Sequence, residues 1–347
     1  GDLDRRVFSL SPDGRYLLFT RRGGEAPEEP LNTLWLVDTT VLRELPRPLG
    51  ITNVIYAEWS PSLGSGAAPQ YRFAYATATR TARAPYWKAH NDLWLATADL
   101  GQPASLTPTL PLSTTLSPLT VTVRATQVLT PSEVGVYSWW GTEYAWSPDG
   151  RHMAYARPDQ VGLVDLKTGK LTPLMRFPPY HTYEQWVWVP SLSWSPDGRF
   201  IVCVLHSPPP GEGNPEESPI FDLWVLEVDG EVQARLVPEV GMWAAPRWSP
   251  VTEAGDEFIA YGVAQSPRQS DLSRYWLYIM DRDGSNKRRL FPPPGEVGLK
   301  VVEIAWSPDG LQVVVAYNGN LYLVDVGSGQ ARQLTADGQS ERPRWSR

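Results

Sequence analysis

Cysteine is almost missing from this sequence: Cys203 stands alone in the apolar stretch FIVCVL. That excludes a disulfide framework and a cysteine-based metal site, while one thiol suits either redox compartment. No apolar run reaches the roughly 18 residues a spanning helix needs, so no membrane span is expected. Basic charge is also scarce. The formal net charge is −7 with a pI near 5.3, which argues against a nucleic-acid partner. The short run NKRRL (286–290) reads as a solvated hairpin edge. No segment shows sustained 3.6-residue apolar periodicity, so helices are not expected. The N-terminal GDLDRRVFSL has no signal-peptide pattern, and removal of a leader, anchor or further domain stays open.

Proline, glycine and tryptophan are abundant instead, with 34, 28 and 16 copies. Dense Pro and Gly punctuate short strands, and 42% hydrophobic residues suffice for a large core. One phrase recurs: YAWSPDGRHMAY (144–155), LSWSPDGRFIVC (192–203) and IAWSPDGLQVVV (304–315). Degenerate copies begin at 8, 57 and 246, and the stub PRWSR closes the chain. The Trp slot falls at Leu10, Trp59, Trp146, Trp194, Trp248, Trp306 and Trp345, with spacings of 49, 87, 48, 54, 58 and 39 residues. Each unit also carries a strand such as LWLVD, LWVLEVD or LYLVD, then a third element such as KLTPL or ARLVP.

Ser-Pro-Asp-Gly is a tight turn, with Pro presetting φ and Gly taking the left-handed position. The Trp before it offers a broad surface to a neighbouring repeat. A repeat of about 40–60 residues with four strands matches a propeller blade. The expected fold is all-β: a six-bladed β-propeller of four-stranded antiparallel blades, with a seven-bladed ring as the alternative. Blades are expected at about 1–51, 52–108, 138–178, 184–240, 241–295 and 298–338 of a single 1–347 domain. Residues 109–137, rich in Thr and Pro, read as an excursion or a partial blade, and 339–347 as a terminal strand stub.

Repeats of the form W-S-P-D-G-(K/R), followed by a strand ending in Asp and a Leu-Thr strand, resemble the WD40-like PD40 repeats of the TolB-type β-propellers. The likeness extends over nearly the whole chain. It implies a propeller, a bias toward protein binding, and an extracytoplasmic location (periplasmic, cell-surface or secreted). Similar repeats occur in prolyl-oligopeptidase-type peptidases and oligogalacturonate lyases, so the resemblance is specific for fold and weak for activity. The small α/β domain that precedes the propeller in TolB has no counterpart in these residues.

Catalytic patterns are sparse. There is no G-x-S-x-G elbow, so a self-contained propeller peptidase is not expected. His90, His152, His181 and His206 show no metal-ligand spacing and read as isolated histidines. MDRDGSNKRRL lacks the twelfth-position acid of a calcium loop, and Glu216–Glu217 read as solvated. No catalytic residue, metal or cofactor is expected.

The repeat accounts for ten tryptophans by position. Of the other six, Trp139, Trp140, Trp186, Trp188 and Trp243 lie five to eight residues before a motif Trp, on connections into innermost strands. With Tyr56, Tyr180 and Tyr183, they are expected to line one mouth of the channel. Glu143 and Glu303, each three residues before a motif Trp, would add acidity there. Such a mouth suits a protein or peptide partner, or a glycan, because Trp and Tyr give large contact area at low entropic cost. The competing readings are rings that only pack over the entrance, and a propeller carbohydrate lyase or hydrolase.

Overall fold

The computed structural model describes residues 8–24, 26, 28–41, 45–62, 70–100, 121–183, 186–211 and 213–345. Its backbone forms two compact units, Gly1–Glu133 and Val134–Arg347.

The first unit holds two antiparallel sheets. One contains β1 (Phe8–Leu10), β2 (Tyr16–Arg22), β3 (Asn32–Asp38) and β4 (Arg47–Thr52), in that order. The other runs β5 (Val54–Trp59), β6 (Tyr71–Arg80), β8 (Leu93–Asp99) and β9 (Thr122–Leu129), with β7 (Trp87–Ala89) paired to the end of β6. Of the segment 109–137, expected as an excursion or partial blade, residues 121–137 are described and 109–120 lie outside the described residues. Its strand TVRATQVL takes the outermost place in the second sheet, pairing Asp99 with Thr122 through Leu93 with Leu129. The ASLTP element expected there lies outside the described residues.

The second unit holds four sheets, each of four consecutive strands. They are β10 (Glu143–Trp146), β11 (Met153–Arg157), β12 (Gln160–Val164) and β13 (Leu171–Arg176); then β14 (Leu192–Trp194), β15 (Phe200–His206), β16 (Phe221–Glu227) and β17 (Gln233–Val237). Next come β18 (Arg247–Trp248), β19 (Phe258–Ala264), β20 (Tyr275–Asp281) and β21 (Arg288–Phe291); the last sheet is β22 (Ile304–Trp306), β23 (Gln312–Tyr317), β24 (Asn320–Asp325) and β25 (Ala331–Gln333). Six sheets arise in all among the described residues, each with the up-and-down order of a propeller blade.

The cores lie between sheets rather than within them. Val202, Val204, Phe221 and Leu223 of one blade meet Trp248, Ile259, Tyr261 and Met280 of the next. Leu277, Ile279 and Leu290 meet Val313, Val315 and Val324 in the same manner. In the first unit Leu18, Leu34 and Leu36 pack with Trp59, Phe73 and Tyr75. Strands such as MAYAR and FIVCVLH are therefore buried nearly throughout instead of alternating, as two-sided packing requires.

The motif serves as a joint. In four copies the Ser hydroxyl donates to the Asp carboxylate: Ser11–Asp13 at 2.5 Å, Ser147–Asp149 at 2.5 Å, Ser195–Asp197 at 2.6 Å and Ser307–Asp309 at 2.5 Å. The same Asp accepts the amide two residues on, and the Ser oxygen accepts the amide five residues on. The motif Trp reaches the preceding blade. Trp194 Nε1 donates to the Ala145 carbonyl at 3.1 Å and Trp306 Nε1 to that of Arg247 at 3.2 Å. The Trp248 amide donates to Ser193 Oγ at 2.9 Å, and in the first unit the Trp59 amide donates to Ser9 Oγ at 3.1 Å.

Candidate functional site

The connections into β14 and β18 bring two of the expected tryptophans together. The rings of Trp186 and Trp243 lie 5.6 Å apart at 37°. Trp243 is 39% exposed, while Trp186 is half-buried against the core beneath it.

The backbone around Trp243 is built for this display. Glu239 (φ 50°), Gly241 (φ 91°) and Ala245 (φ 42°) are all left-handed, a conformation that costs non-glycine residues free energy and tends to gather at functional positions. The Ala244 carbonyl accepts the Gly262 amide at 2.7 Å. A Cβ on Gly262 would stand 2.7 Å from Val302 Cγ2 and 3.2 Å from Ala244 Cα, so glycine permits this close approach. The Trp243 amide donates to the Tyr275 hydroxyl at 3.1 Å, and that hydroxyl donates to the Ser270 carbonyl at 2.8 Å. The Met242 amide donates to Ser270 Oγ at 3.1 Å. The Trp243 segment is thus tied to residues 270–275.

The connection bearing Trp186 is held from behind by His206, which is 1% exposed. Its Nδ1 lies 2.7 Å from the Pro178 carbonyl and its Nε2 2.7 Å from that of Ser218. Burial lowers the pKa of His206, against two carbonyls that raise it. Tyr180 packs edge-on to both His206 and Phe221, and its phenol is raised by burial. Tyr183 is 81% exposed, with its ring 5.2 Å from that of His181. The His181 amide donates to the Glu216 carbonyl at 2.7 Å, fastening this connection to the Pro-rich loop.

Trp188 does not belong to the site. It is 1% exposed, packs 4.8 Å from Phe221, and donates its indole N–H to the Met242 carbonyl at 3.1 Å. A ring of that size fills the space between two blades, and burying it there outweighs display in solvent. Trp139 and Trp140 form a separate edge-to-face pair at 5.6 Å on a 3-10 turn, Ser138–Trp140, set between left-handed Tyr137 and Gly141. Glu143 begins β10 opposite Ala156. Glu303 accepts the Arg342 amide at 2.6 Å, so it holds the C-terminal segment. Tyr56 lies in the first unit and donates its hydroxyl to Glu58 at 2.9 Å.

His90, read from sequence as isolated, sits in a polar network of the first unit. Asp92, 2% exposed, accepts the Thr77 hydroxyl at 2.6 Å, the Thr77 amide at 2.8 Å and the Trp94 indole at 2.8 Å. His90 Nδ1 contacts Thr77 Oγ1 at 2.8 Å and Nε2 contacts Thr79 Oγ1 at 2.6 Å. Thr77 spends its proton on Asp92, so His90 Nδ1 is the donor to Thr77 Oγ1. Residue spacing gave no sign of this network, because Thr77 and Asp92 meet only through strand pairing.

The family model described as the dipeptidyl peptidase IV N-terminal region matches residues 254–343. A probable dipeptidyl-aminopeptidase B of Talaromyces marneffei is 28% identical over 117 residues, which are 33% of this chain and 12% of that protein. An uncharacterized protein of Agrobacterium fabrum is 30% identical over 182 residues, 50% of this chain and 52% of that protein. The chain therefore matches no more than about half the length of these relatives. Among solved structures, TolB of Acinetobacter baumannii aligns over 97% of this chain and 67% of its own, with TM-score 0.50 and 15% identity. A prolyl endopeptidase aligns over 94% of this chain and 41% of its own, with TM-score 0.53 and 12% identity. At these identities the structural likeness is one of fold.

Sheet order, inter-blade cores and these alignments define the class: an all-β protein of the six-bladed propeller kind. Within it, the repeated Trp-Ser-Pro-Asp-Gly joints and the fold make the chain similar to the TolB-like, PD40-repeat β-propellers.

Proposed function

We propose that this propeller is a non-enzymatic binding module that takes an extended peptide segment on the aromatic face carried by Trp186 and Trp243, and that it works outside the cytoplasm. The observation that carries this reading is the exposed Trp243 ring against half-buried Trp186, displayed by a strained, hydrogen-bonded connection where burial alone would have drawn it inward. Exposed Tyr183, and the Trp139–Trp140 pair on a neighbouring connection, extend the same chemistry. Large rigid rings of this type dominate binding energy at protein interfaces.

A second reading draws on the dipeptidyl peptidase IV match: the propeller would serve as the peptide-handling portion of a peptidase. Both readings make peptide the ligand, in contrast to a carbohydrate-active propeller. The test is to pan a random-peptide display library on the full chain, with counter-selection on the Trp186→Ala/Trp243→Ala variant. Enrichment of peptides that bind the native chain and lose the variant is expected. Peptides that bind both equally, or no enrichment at all, would overturn the assignment.

A further inference from the structure

The tryptophan pair has an acidic neighbour. Asp271 directly follows Ser270, the residue whose hydroxyl and carbonyl anchor the Met242–Trp243 backbone. It is exposed, and among the described residues no hydrogen bond or ion pair occupies its carboxylate. Its charge bears on two phenols of the two connections: Tyr180, raised by burial and by Asp271, and Tyr275, pushed up to about 12 by burial with Asp271 adding to it. The nearby cations are committed elsewhere. Arg268 pairs with Glu239 at 3.3 Å and Arg274 donates to the Gly298 carbonyl at 3.1 Å. Leu272, 88% exposed, follows as an apolar flank.

An unneutralised carboxylate one residue from the anchor of the Trp243 connection, followed in sequence by an exposed leucine, suits one kind of side chain. A lysine or arginine lays its methylene stem along apolar surface, places its cation over the ring, and ends at the acid. A neutral sugar would stack on the ring but leave the carboxylate without a counter-charge. The chain's net charge of −7 adds long-range attraction for a cationic ligand.

We infer that the Trp186–Trp243 face, with Asp271 and Leu272, selects peptides bearing a lysine or arginine. The inference rests on the peptide-binding reading above and adds its charge preference. Calorimetric titration of the full chain with an end-blocked Lys/Gly decapeptide, its Gln/Gly counterpart and a neutral oligosaccharide separates the two. The Lys peptide is expected to bind about tenfold tighter than the Gln peptide at low salt, and raising salt is expected to shrink the difference. D271N should bring the Lys peptide down to the level of the Gln peptide with an unchanged melting temperature, and W243A should weaken both peptides. Equal binding of the two peptides, lost in W243A, would sink the charge preference and leave the peptide reading standing. Binding of the oligosaccharide alone, or no W243A-sensitive binding of any ligand, would sink both.

Discussion

Tryptophans that look alike in sequence divide by what they touch. Trp188 and Trp243 both precede a motif Trp on a connecting segment, yet one is 1% exposed and the other 39%. Trp188→Ala opens a cavity bordered by Phe177 and Phe221 and leaves the Met242 carbonyl without its donor. The expected cost is about 3–5 kcal/mol, seen as a lowered denaturation midpoint. Trp243→Ala removes a ring that is open to solvent on one side and should cost about 1 kcal/mol or less while weakening ligand binding. Chemical denaturation of the two variants side by side checks the contrast, and equal losses would contradict it. The leftover tryptophans were legible in the sequence as a set. Their sorting was not, because it depends on which ring packs on Phe221 and reaches the Met242 carbonyl of the next connection.

Strands and turns were the most legible elements, since Ser-Pro-Asp-Gly specifies its own conformation locally. The role of its Asp goes beyond tolerance of a turn position. The Ser307 hydroxyl and the Leu311 amide hold the Asp309 carboxyl below its ordinary range. At Asp149 and Asp197 burial pushes upward, but the corresponding Ser and amide hydrogen bonds outweigh it. A carboxyl lowered in the folded state stabilises fully above its unfolded pKa of about 4, and that contribution disappears as pH falls through the lower folded value. The Asp149→Asn/Asp197→Asn/Asp309→Asn variant should therefore melt lower than the native chain at pH 7, with the gap narrowing below about pH 4. Melting curves at pH 7 and at pH 3 check this; a gap constant across that range would count against the turns. The outer strand of the second blade was harder to place, because β9 lies far beyond β8 and only pairing reveals its position. Gly262 offered no signal either, as it sits mid-strand in FIAYGVA. Gly262→Ala should force apart β19 and the Trp243 connection, costing more than about 1 kcal/mol and weakening ligand binding together with stability. A variant of native stability and affinity would show that the close approach is dispensable.

For the whole molecule, the repeat in the sequence conveyed architecture because each blade is built from consecutive strands, and local spacing therefore reports global order. The candidate site was only partly legible for the opposite reason: it joins the connections into two blades with Ser270 and Asp271 from a third segment. Packing between blades also makes a prediction about how the chain opens. Cys203 lies at the middle of β15, 0% exposed, between Leu192 on β14 and Trp224 on β16. Burial pushes its thiol well above the ordinary range, so the native protein holds it protonated and shielded, the unreactive state of a thiol. Fraying of an outer strand does not expose it; the blade must come apart from its neighbours, because the surrounding core is shared between blades. Labelling by a disulfide reagent under native conditions should proceed orders of magnitude more slowly than in denaturant. Its rate should rise with denaturant in parallel with loss of the β-sheet signal of the second unit. Fast native labelling, or labelling complete well before the sheet signal changes, would show that the fourth blade opens by itself and that inter-blade packing does not set the stability of this strand.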